Sequence, residues 1–190
     1  MIFHSRSRTK TVYFVYSGEV MLYNLTKHGN RKVIFILGKG RLLNQSIVSK
    51  KPNALFCEAA CPVQVIEIAE KQFLQLMEQS HALTRAVLRE YERNLWRMGH
   101  QLKNTTGNMQ MERKIAAKLW KLGRDFGVDT EDGVMIDIDL TITLMADLVG
   151  APRENVSRAC KVLTDRGLLR YGNKRFILID FDGLAEFYKM

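Results

Sequence analysis

Four polar side chains near the start of one predicted helix, between Thr141 and Arg166, have the types and spacing for contacts with nucleic-acid bases. They are Arg153, Glu154, Ser157 and Arg158. At about 100° per residue, most of this polar group lies opposite an apolar face that includes Val156. Arginine can donate two hydrogen bonds to guanine O6 and N7, and a carboxylate can accept one from cytosine N4. The pattern predicts a helix that reads base edges.

The residues around this helix have the spacing of a helix-turn-helix. Ala146 is small where two helices would approach, Gly150 permits a tight turn, and Val156 would anchor the second helix. Pro152 suits the first turn of that helix. An alternative is that Glu154 only favours the helix dipole and that the arginines form a solvated face. We favour base reading, because the alternative leaves the turn spacing and a following basic hairpin unexplained.

Positive charge is unevenly distributed along the 190 residues, which carry a formal net charge of +9. Such a charge suggests a polyanionic partner. Residues 107–190 hold 13 Lys and Arg against 13 Asp and Glu, so the excess lies in residues 1–106, with 16 against 7. Residues 153–175 nevertheless hold seven cations and two carboxylates. This local concentration adds Lys161, Lys174 and Arg175 to the predicted DNA contacts.

The elements before this region are predicted to be mainly β. Short alternating apolar runs between Thr11 and Ile68, separated by glycine and asparagine turns, predict an antiparallel sheet that closes into a roll or barrel. A short helix is expected over residues 70–79. A longer helix follows to residue 103, with Ser80 as its N-cap.

The longer helix carries an apolar stripe with the alternating spacing of a coiled coil. A narrow stripe with charged flanks favours a two-helix dimer seam, although packing of the helix on its own domain is the alternative. The predicted dimer residues are Leu88, Tyr91, Leu95, Met98 and Leu102.

The C-terminal part is predicted to begin after a hinge at residues 104–108. A helix from Met111 to Gly127, a strand over residues 133–140, and a helix capped by Thr141 follow. Two strands joined by a Gly172-Asn173 turn then form a wing, and a terminal helix ends the chain. The predicted domains are an effector-sensing domain (1–79), a dimerisation helix with hinge (80–106) and a DNA-binding domain (107–190).

In this order of elements the chain resembles the Crp/Fnr family of bacterial transcription regulators. VGAPRENVSR at 149–158 is similar to the family's VG-x-x-RE-x-V-x-R recognition segment, and YFVYSGEVMLY at 13–23 is similar to its strand-glycine-strand repeat. The resemblance implies an α+β fold: an N-terminal antiparallel β-roll like a cyclic-nucleotide-binding domain, a long dimerisation helix and a C-terminal winged helix-turn-helix. It makes Arg153, Glu154 and Arg158 base readers, and Ser157 resembles a serine of the Fnr branch. The family's first strands lack a counterpart, as if the N-terminus were truncated.

Two departures from the family concern the effector. Cyclic-nucleotide binders hold ribose and phosphate with Gly-Glu and Arg-Ser pairs, where this chain has Asn44-Gln45 and Asn53-Ala54. A buried phosphate would lack its charge partner, which argues against a cyclic nucleotide. The Fnr iron-sulfur cluster uses four cysteines and this chain has three, which argues against that cofactor. The effector is left unidentified, with predicted contacts from Asn44, Gln45, Asn53, Tyr91 and Trp96.

The resulting hypothesis is a homodimeric, sequence-specific transcription regulator that binds near-palindromic double-stranded DNA and is not an enzyme. No apolar run is long enough to span a membrane and MIFHSRSRTK lacks a signal core, so a cytoplasmic location without a membrane partner is expected. RNA polymerase is a further partner if the protein activates transcription. No catalytic or metal site is predicted.

Two alternatives belong to other classes of protein. A cupin-like metal enzyme would need a histidine and carboxylate triad in the roll, where only His4 and His28 lie. A ligand-binding adaptor would use the helix-turn-helix to bind protein. The sequence leaves open the target promoters, activation or repression, and whether Cys57 and Cys61 form a redox pair or two packed thiols.

Overall fold

The computed structural model describes residues 1–105 and 109–189, with side chains up to residue 102 and from residue 109. The chain divides into two compact units. The first, here the roll unit, comprises Met1–Gly29 and Val33–Lys103; the second, the helix-turn-helix unit, comprises Asn30–Lys32 and Asn104–Met190. Most of the predicted hinge at 104–108 lies outside the described residues.

The roll unit contains five antiparallel strands, as the alternating pattern predicts. They are β1 (Thr11–Ser17), β2 (Val20–Leu25), β3 (Arg31–Leu37), β4 (Phe56–Ala59) and β5 (Gln64–Ala69). Strand β1 pairs with β5, and β2 lies between β3 and β4. Isolated bridges between Phe3 and Cys57 and between Phe14 and Leu42 add further pairing. The apolar faces enclose a core that includes Val20, Leu37 and Cys57.

The turn between β1 and β2 requires a glycine. Gly18 has a φ of 78°, in the left-handed region that side chains disfavour. A Cβ atom at this position would lie 2.4 Å from the carbonyl oxygen of Pro62. Both the backbone conformation and the close approach of the 61–63 segment therefore exclude a larger residue.

Two helices follow the strands: α1 (Glu70–Gln79) and α2 (His81–Thr105). The predicted cap is confirmed, because Ser80 Oγ accepts a hydrogen bond from the Leu83 N–H at 3.2 Å. Phe73 of α1 and Val87 of α2 are buried in a second apolar cluster with residues of the roll. Burial of these side chains attaches both helices to the sheet. No helix in the described part of the chain is both long and apolar enough to span a bilayer.

Helix α2 uses a partly polar face to contact its own roll. Arg41 Nε donates to Glu90 Oε1 at 2.6 Å, and Arg41 Nη2 donates to Asn94 Oδ1 at 3.1 Å. Arg97, only 6% exposed, lies over the Phe35 ring. Along α2, the residues that contact the roll are Glu90, Asn94 and Arg97. Their spacings of four and three residues are also those of the predicted apolar stripe. The sequence therefore contains two helical faces with the same period.

The predicted apolar stripe lies on the neighbouring face of α2, and four of its five residues are exposed. Leu88 is 54%, Leu95 72%, Met98 47% and Leu102 64% exposed. Tyr91 differs, because it is half-buried against the second apolar cluster and its hydroxyl donates to the Asn44 carbonyl oxygen at 3.3 Å. Tyr91 thus lies where the two faces meet.

The helix-turn-helix unit consists of four helices and a four-stranded antiparallel sheet in the order β6-β7-β9-β8. Its elements are α3 (Met111–Phe126), β6 (Gly127–Thr130), β7 (Gly133–Ile136), α4 (Ile142–Val149), α5 (Arg153–Asp165), β8 (Leu169–Gly172), β9 (Arg175–Leu178) and α6 (Phe181–Lys189). Helix α3 packs against α5 and α6 through buried residues that include Ile115 and Leu119. The predicted α+β fold is confirmed.

Two local predictions for this unit are wrong, and one strand was missed. Strand β6 was not predicted. The strand predicted over 133–140 ends at Ile136, because only its first half has ladder partners. The wing turn lies one residue later than predicted: Gly172 pairs with Arg175, and Asn173 and Lys174 form the loop with φ of 50° and 60°. Two residues of positive φ match the twist of a tight hairpin.

Candidate nucleic-acid interface

The turn between α4 and α5 has the predicted helix-turn-helix geometry. Thr141 Oγ1 accepts a hydrogen bond from the Leu144 N–H at 3.0 Å and caps α4. Gly150 ends α4 in the left-handed region with a φ of 71°, and its N–H donates to the Ala146 carbonyl oxygen at 2.8 Å. Pro152 is the N-cap of α5, one residue before the predicted position. Its missing N–H costs no helical hydrogen bond there.

Helix α5 has a buried face and an exposed face, as the sequence predicts. The buried residues are Val156, Ala159, Cys160 and Leu163, and Val156 and Leu163 are completely inaccessible to solvent. The predicted contact residues of the helix all lie on the exposed side: Arg153, Glu154, Ser157, Arg158 and Lys161. The buried anchors fix the rotation of α5 and present the polar side chains to solvent as a group.

Arg158 forms a hydrogen bond with a neighbour that the sequence analysis did not identify. Its Nη2 atom donates to Asn155 Oδ1 at 2.5 Å. Residues three apart on a helix surface are neighbours, so the spacing alone was a usable signal. The guanidinium of Arg158 thus lies beside Asn155 on the surface of the helix. Glu154 lies in the first turn of α5 and also favours the helix dipole.

The cations of the wing are partly paired with carboxylates. Arg175 forms an ion pair with Asp137, and Asp139 lies 3.9 Å from both Arg175 Nη2 and Lys174 Nζ. The Leu140 N–H donates to the Lys174 carbonyl oxygen at 2.7 Å, so residues 137–140 hold the wing turn. The Lys174 side chain is 63% exposed and that of Arg175 34%. Lys174 is therefore the more available cation for a phosphate.

Asn44 and Gln45, two of the predicted effector residues, form hydrogen bonds with other parts of the roll unit. Asn44 is 5% exposed, and its side-chain amide accepts from the Tyr13 N–H at 2.8 Å and donates to the Thr11 carbonyl oxygen at 2.9 Å. Gln45 Oε1 accepts from the Ala54 N–H at 3.1 Å. These amides join the 44–45 segment to β1 and to the 53–54 segment.

The remaining predicted effector residues lie in different environments. Asn53 is buried, with Nδ2 3.4 Å from Ser7 Oγ. Tyr91 contacts Asn44, whereas Trp96 is 61% exposed and its ring lies 3.9 Å from that of His100. A cyclic phosphate needs a cation, and neither the 44–45 nor the 53–54 segment supplies one. The residues present at these segments do not fit a cyclic nucleotide.

None of the three cysteines forms a disulfide. Cys57 is buried in β4, and burial raises its pKa to about 12; burial likewise raises the pKa of Cys160 to about 11. Cys61 Sγ donates to Glu19 Oε2 at 2.9 Å. Among the described residues, no group of three or more His, Cys, Asp or Glu side chains could hold a metal ion. The two alternatives for Cys57 and Cys61, a redox pair or two packed thiols, are both left open.

Two protein families match separate parts of the chain. The cyclic nucleotide-binding domain matches residues 1–80, and the Crp-like helix-turn-helix domain matches residues 113–187. The two matches follow each other along the chain in the same order as the roll unit and the helix-turn-helix unit. The metal-enzyme alternative receives no support from either match.

Similar proteins match nearly the whole chain. A CRP-like cAMP-activated global transcriptional regulator of Mycobacterium tuberculosis is 23% identical over 176 residues, covering 92% of this chain and 78% of the relative. A global nitrogen regulator of Nostoc is 23% identical over 177 residues, covering 92% and 79%. The structure of FixK2 from Bradyrhizobium japonicum has a TM-score of 0.83 at 20% identity, covering 97% and 90%, and shows the same fold. With both family matches in the order that the fold displays, the chain belongs to the Crp/Fnr family of transcription regulators.

Proposed function

We propose that the protein binds DNA as a homodimer that places α5 of each protomer in the major groove of a near-palindromic site. The observation that carries this proposal is the exposed polar group on α5, anchored from behind by buried Val156 and Leu163. Two-fold symmetry of the protein implies two-fold symmetry of the site, with half-site centres about 34 Å apart.

Exposed apolar side chains support dimerisation through α2. Leu88, Leu95 and Leu102 are each more than half exposed in the isolated chain and follow the spacing of a coiled-coil seam. A contiguous exposed apolar stripe is unfavourable in water and marks an interaction surface. Met98 extends the seam, and Tyr91 contributes its outer edge while its hydroxyl remains bonded to the roll.

The proposed contacts divide into base readers and phosphate contacts. Arg153, Glu154 and Arg158 read base edges, and Ser157 contacts a neighbouring base. Lys161 and Lys174 bind phosphates. Arg175 is held by Asp137 and is assigned a weaker phosphate contact.

The proposed regulation begins with an effector in the 1–79 domain. Effector binding shifts the population of dimer-helix arrangements, and the 80–106 segment transmits this shift to the spacing of the two 107–190 domains. The effector contacts proposed above from Asn44, Gln45, Asn53, Tyr91 and Trp96 are part of this hypothesis. If the protein activates transcription, the DNA-bound dimer also contacts RNA polymerase.

Titration of DNA variants against two protein variants tests the DNA-binding proposal. Arg158→Ala should remove discrimination at one position of each half-site, worth about 1–3 kcal/mol. Lys174→Ala should weaken binding to all sequences alike. It should also lower the slope of log K against log salt concentration by about one, since one phosphate contact is lost. The affinity for each single-base variant of the site is measured at several salt concentrations. Equal losses on every sequence for both variants would refute the assignment of Arg158.

A further inference from the structure

A concave surface of the roll unit, here called the basic pocket, concentrates positive charge. Its volume is about 440 Å³. Five cationic side chains and a single carboxylate line it: Arg8, Lys10, Lys50, Lys51 and Lys71, with Glu70. They come from three separate segments, namely the strand entry before β1, the loop before β4 and the first turn of α1. The fold therefore brings together charges that are distant in the sequence.

The protein offsets only part of the positive charge of the basic pocket, because Glu70 is the single carboxylate in its lining. Within the described residues, none of its five cations has a carboxylate at ion-pair distance, whereas Arg41 pairs with Glu90 elsewhere in the same unit. Like charges that line a concave surface repel one another and focus a positive potential into it. An anion bound there would relieve this repulsion.

Hydrogen bonds fix the loop that forms one wall of the basic pocket. Arg8 Nε and Nη2 both donate to the Lys50 carbonyl oxygen, at 2.8 and 2.6 Å. The Lys51 N–H donates to Ser46 Oγ at 3.2 Å, and the Asn53 N–H donates to the Ser7 carbonyl oxygen at 2.9 Å. The loop is thus organised before any ligand binds, which lowers the entropic cost of binding.

The donors that remain at the basic pocket suit phosphate. The guanidinium of Arg8 has five N–H donors and uses two on the Lys50 carbonyl, so three remain for a ligand. The lysine ammonium groups add compact positive charges. The N-terminus of α1 also borders the pocket, where the first-turn carboxylate of Glu70 offsets the positive end of the helix dipole.

The basic pocket is distinct from the predicted effector contacts. Asn44, Gln45, Asn53, Tyr91 and Trp96 do not line it. Its charges belong to the excess of residues 1–106, which the DNA contacts of α5 and the wing do not use. We propose that the basic pocket binds a small molecule that carries two or more phosphate groups. The cavity volume lies in the range of small-molecule sites, about 300–1,000 Å³.

Isothermal titration of the full chain with tripolyphosphate tests this proposal. Lys50→Gln/Lys71→Gln should raise the Kd for tripolyphosphate about tenfold, because two direct charge contacts are lost. The matched control Lys27→Gln/Lys39→Gln removes the same charge from exposed positions of the roll unit outside the pocket, and should change the Kd less than about twofold. These four lysines are exposed, so their replacement should leave the fold intact, as circular dichroism can verify.

Each of the other possible results contradicts the proposal and indicates a different explanation for the pocket. Absence of binding, or equal losses for the two double variants, would show that the pocket provides no specific site. Tighter binding of a decaglutamate peptide than of tripolyphosphate would assign the surface to an acidic protein. Weaker binding of duplex DNA by the pocket variant alone would assign it to DNA. Because all α5 residues are unchanged, failure of the pocket proposal and failure of DNA recognition are measured separately.

Discussion

Three weak acids in the cores of the two units retain their protons more strongly than they would in water. Burial raises the pKa of Cys57 to about 12 and that of Cys160 to about 11. Burial, followed by the neighbouring Glu90 carboxylate, raises the pKa of Tyr91 to about 12. At neutral pH all three groups are protonated and uncharged, because burial disfavours their charged forms.

Alkaline pH should therefore destabilise the folded protein. The unfolded thiols have a pKa near 9.0, and the folded values lie above it, so the unfolded state loses protons first as the pH rises. The stabilisation is complete below about pH 9 and is lost progressively towards about pH 12. The urea concentration at the midpoint of unfolding should therefore decrease as the pH is raised from about 9 to about 10.5.

Two core variants separate this titration from simple loss of packing. Cys57→Ala should show a smaller decrease of the urea midpoint with pH than the wild type, because one shifted acid is removed. Val15→Ala removes atoms from the same apolar cluster but no acid, and should retain the wild-type decrease. A decrease in Cys57→Ala as large as in the wild type would contradict the role of this thiol.

At the scale of single elements, the start of α4 depends on one side chain. Thr141→Ala should lower the free energy of unfolding by about 1 kcal/mol, because the hydrogen bond from Thr141 Oγ1 to the Leu144 N–H is lost. Thr143→Ala is the matched control, since Thr143 is exposed within the same helix and does not cap it. Chemical denaturation of both variants provides the comparison. An equal loss in the two would show that the cap is not the cause.

Sequence patterns predicted elements well where a single local signal was decisive. The caps at Ser80 and Thr141 and the apolar face of α5 were recognised because each involves residues within one or two helical turns. The second face of α2 was missed, since Arg97 and Asn94 are polar and only their partners in the roll make them inward-facing. The role of Asp137 was missed for the same reason, because its partner Arg175 is distant in sequence.

At the scale of the whole molecule, the sequence located the excess charge in residues 1–106 but not the surface on which it collects. Hydrogen bonds bring the loop at Lys50 beside Arg8, and the start of α1 at Lys71 lies next to both. Long-range contacts of this kind leave no periodic signal. Charge counts can therefore indicate a polyanionic partner without showing whether DNA or a smaller anion is bound.

The homodimer proposal makes a strict prediction about the spacing of DNA half-sites. Insertion of about five base pairs between the half-sites rotates one of them by half a helical turn, since one turn is about 10.5 base pairs. A rigid dimer can then place only one α5 in a major groove. The affinity for the spaced site should fall to that of a single half-site, because the benefit of simultaneous binding is lost.

Disruption of the α2 seam provides the control for this spacing experiment. Leu95→Glu places a charge at a position that is 72% exposed in the single chain and buried in the proposed dimer. The variant should sediment as a monomer and should bind the natural and spaced sites equally weakly. Arg93→Glu, on the exposed flank of α2, should remain dimeric and sensitive to spacing. If the wild type binds both sites with equal affinity, each protomer recognises DNA independently and the α2 seam does not set the geometry of binding.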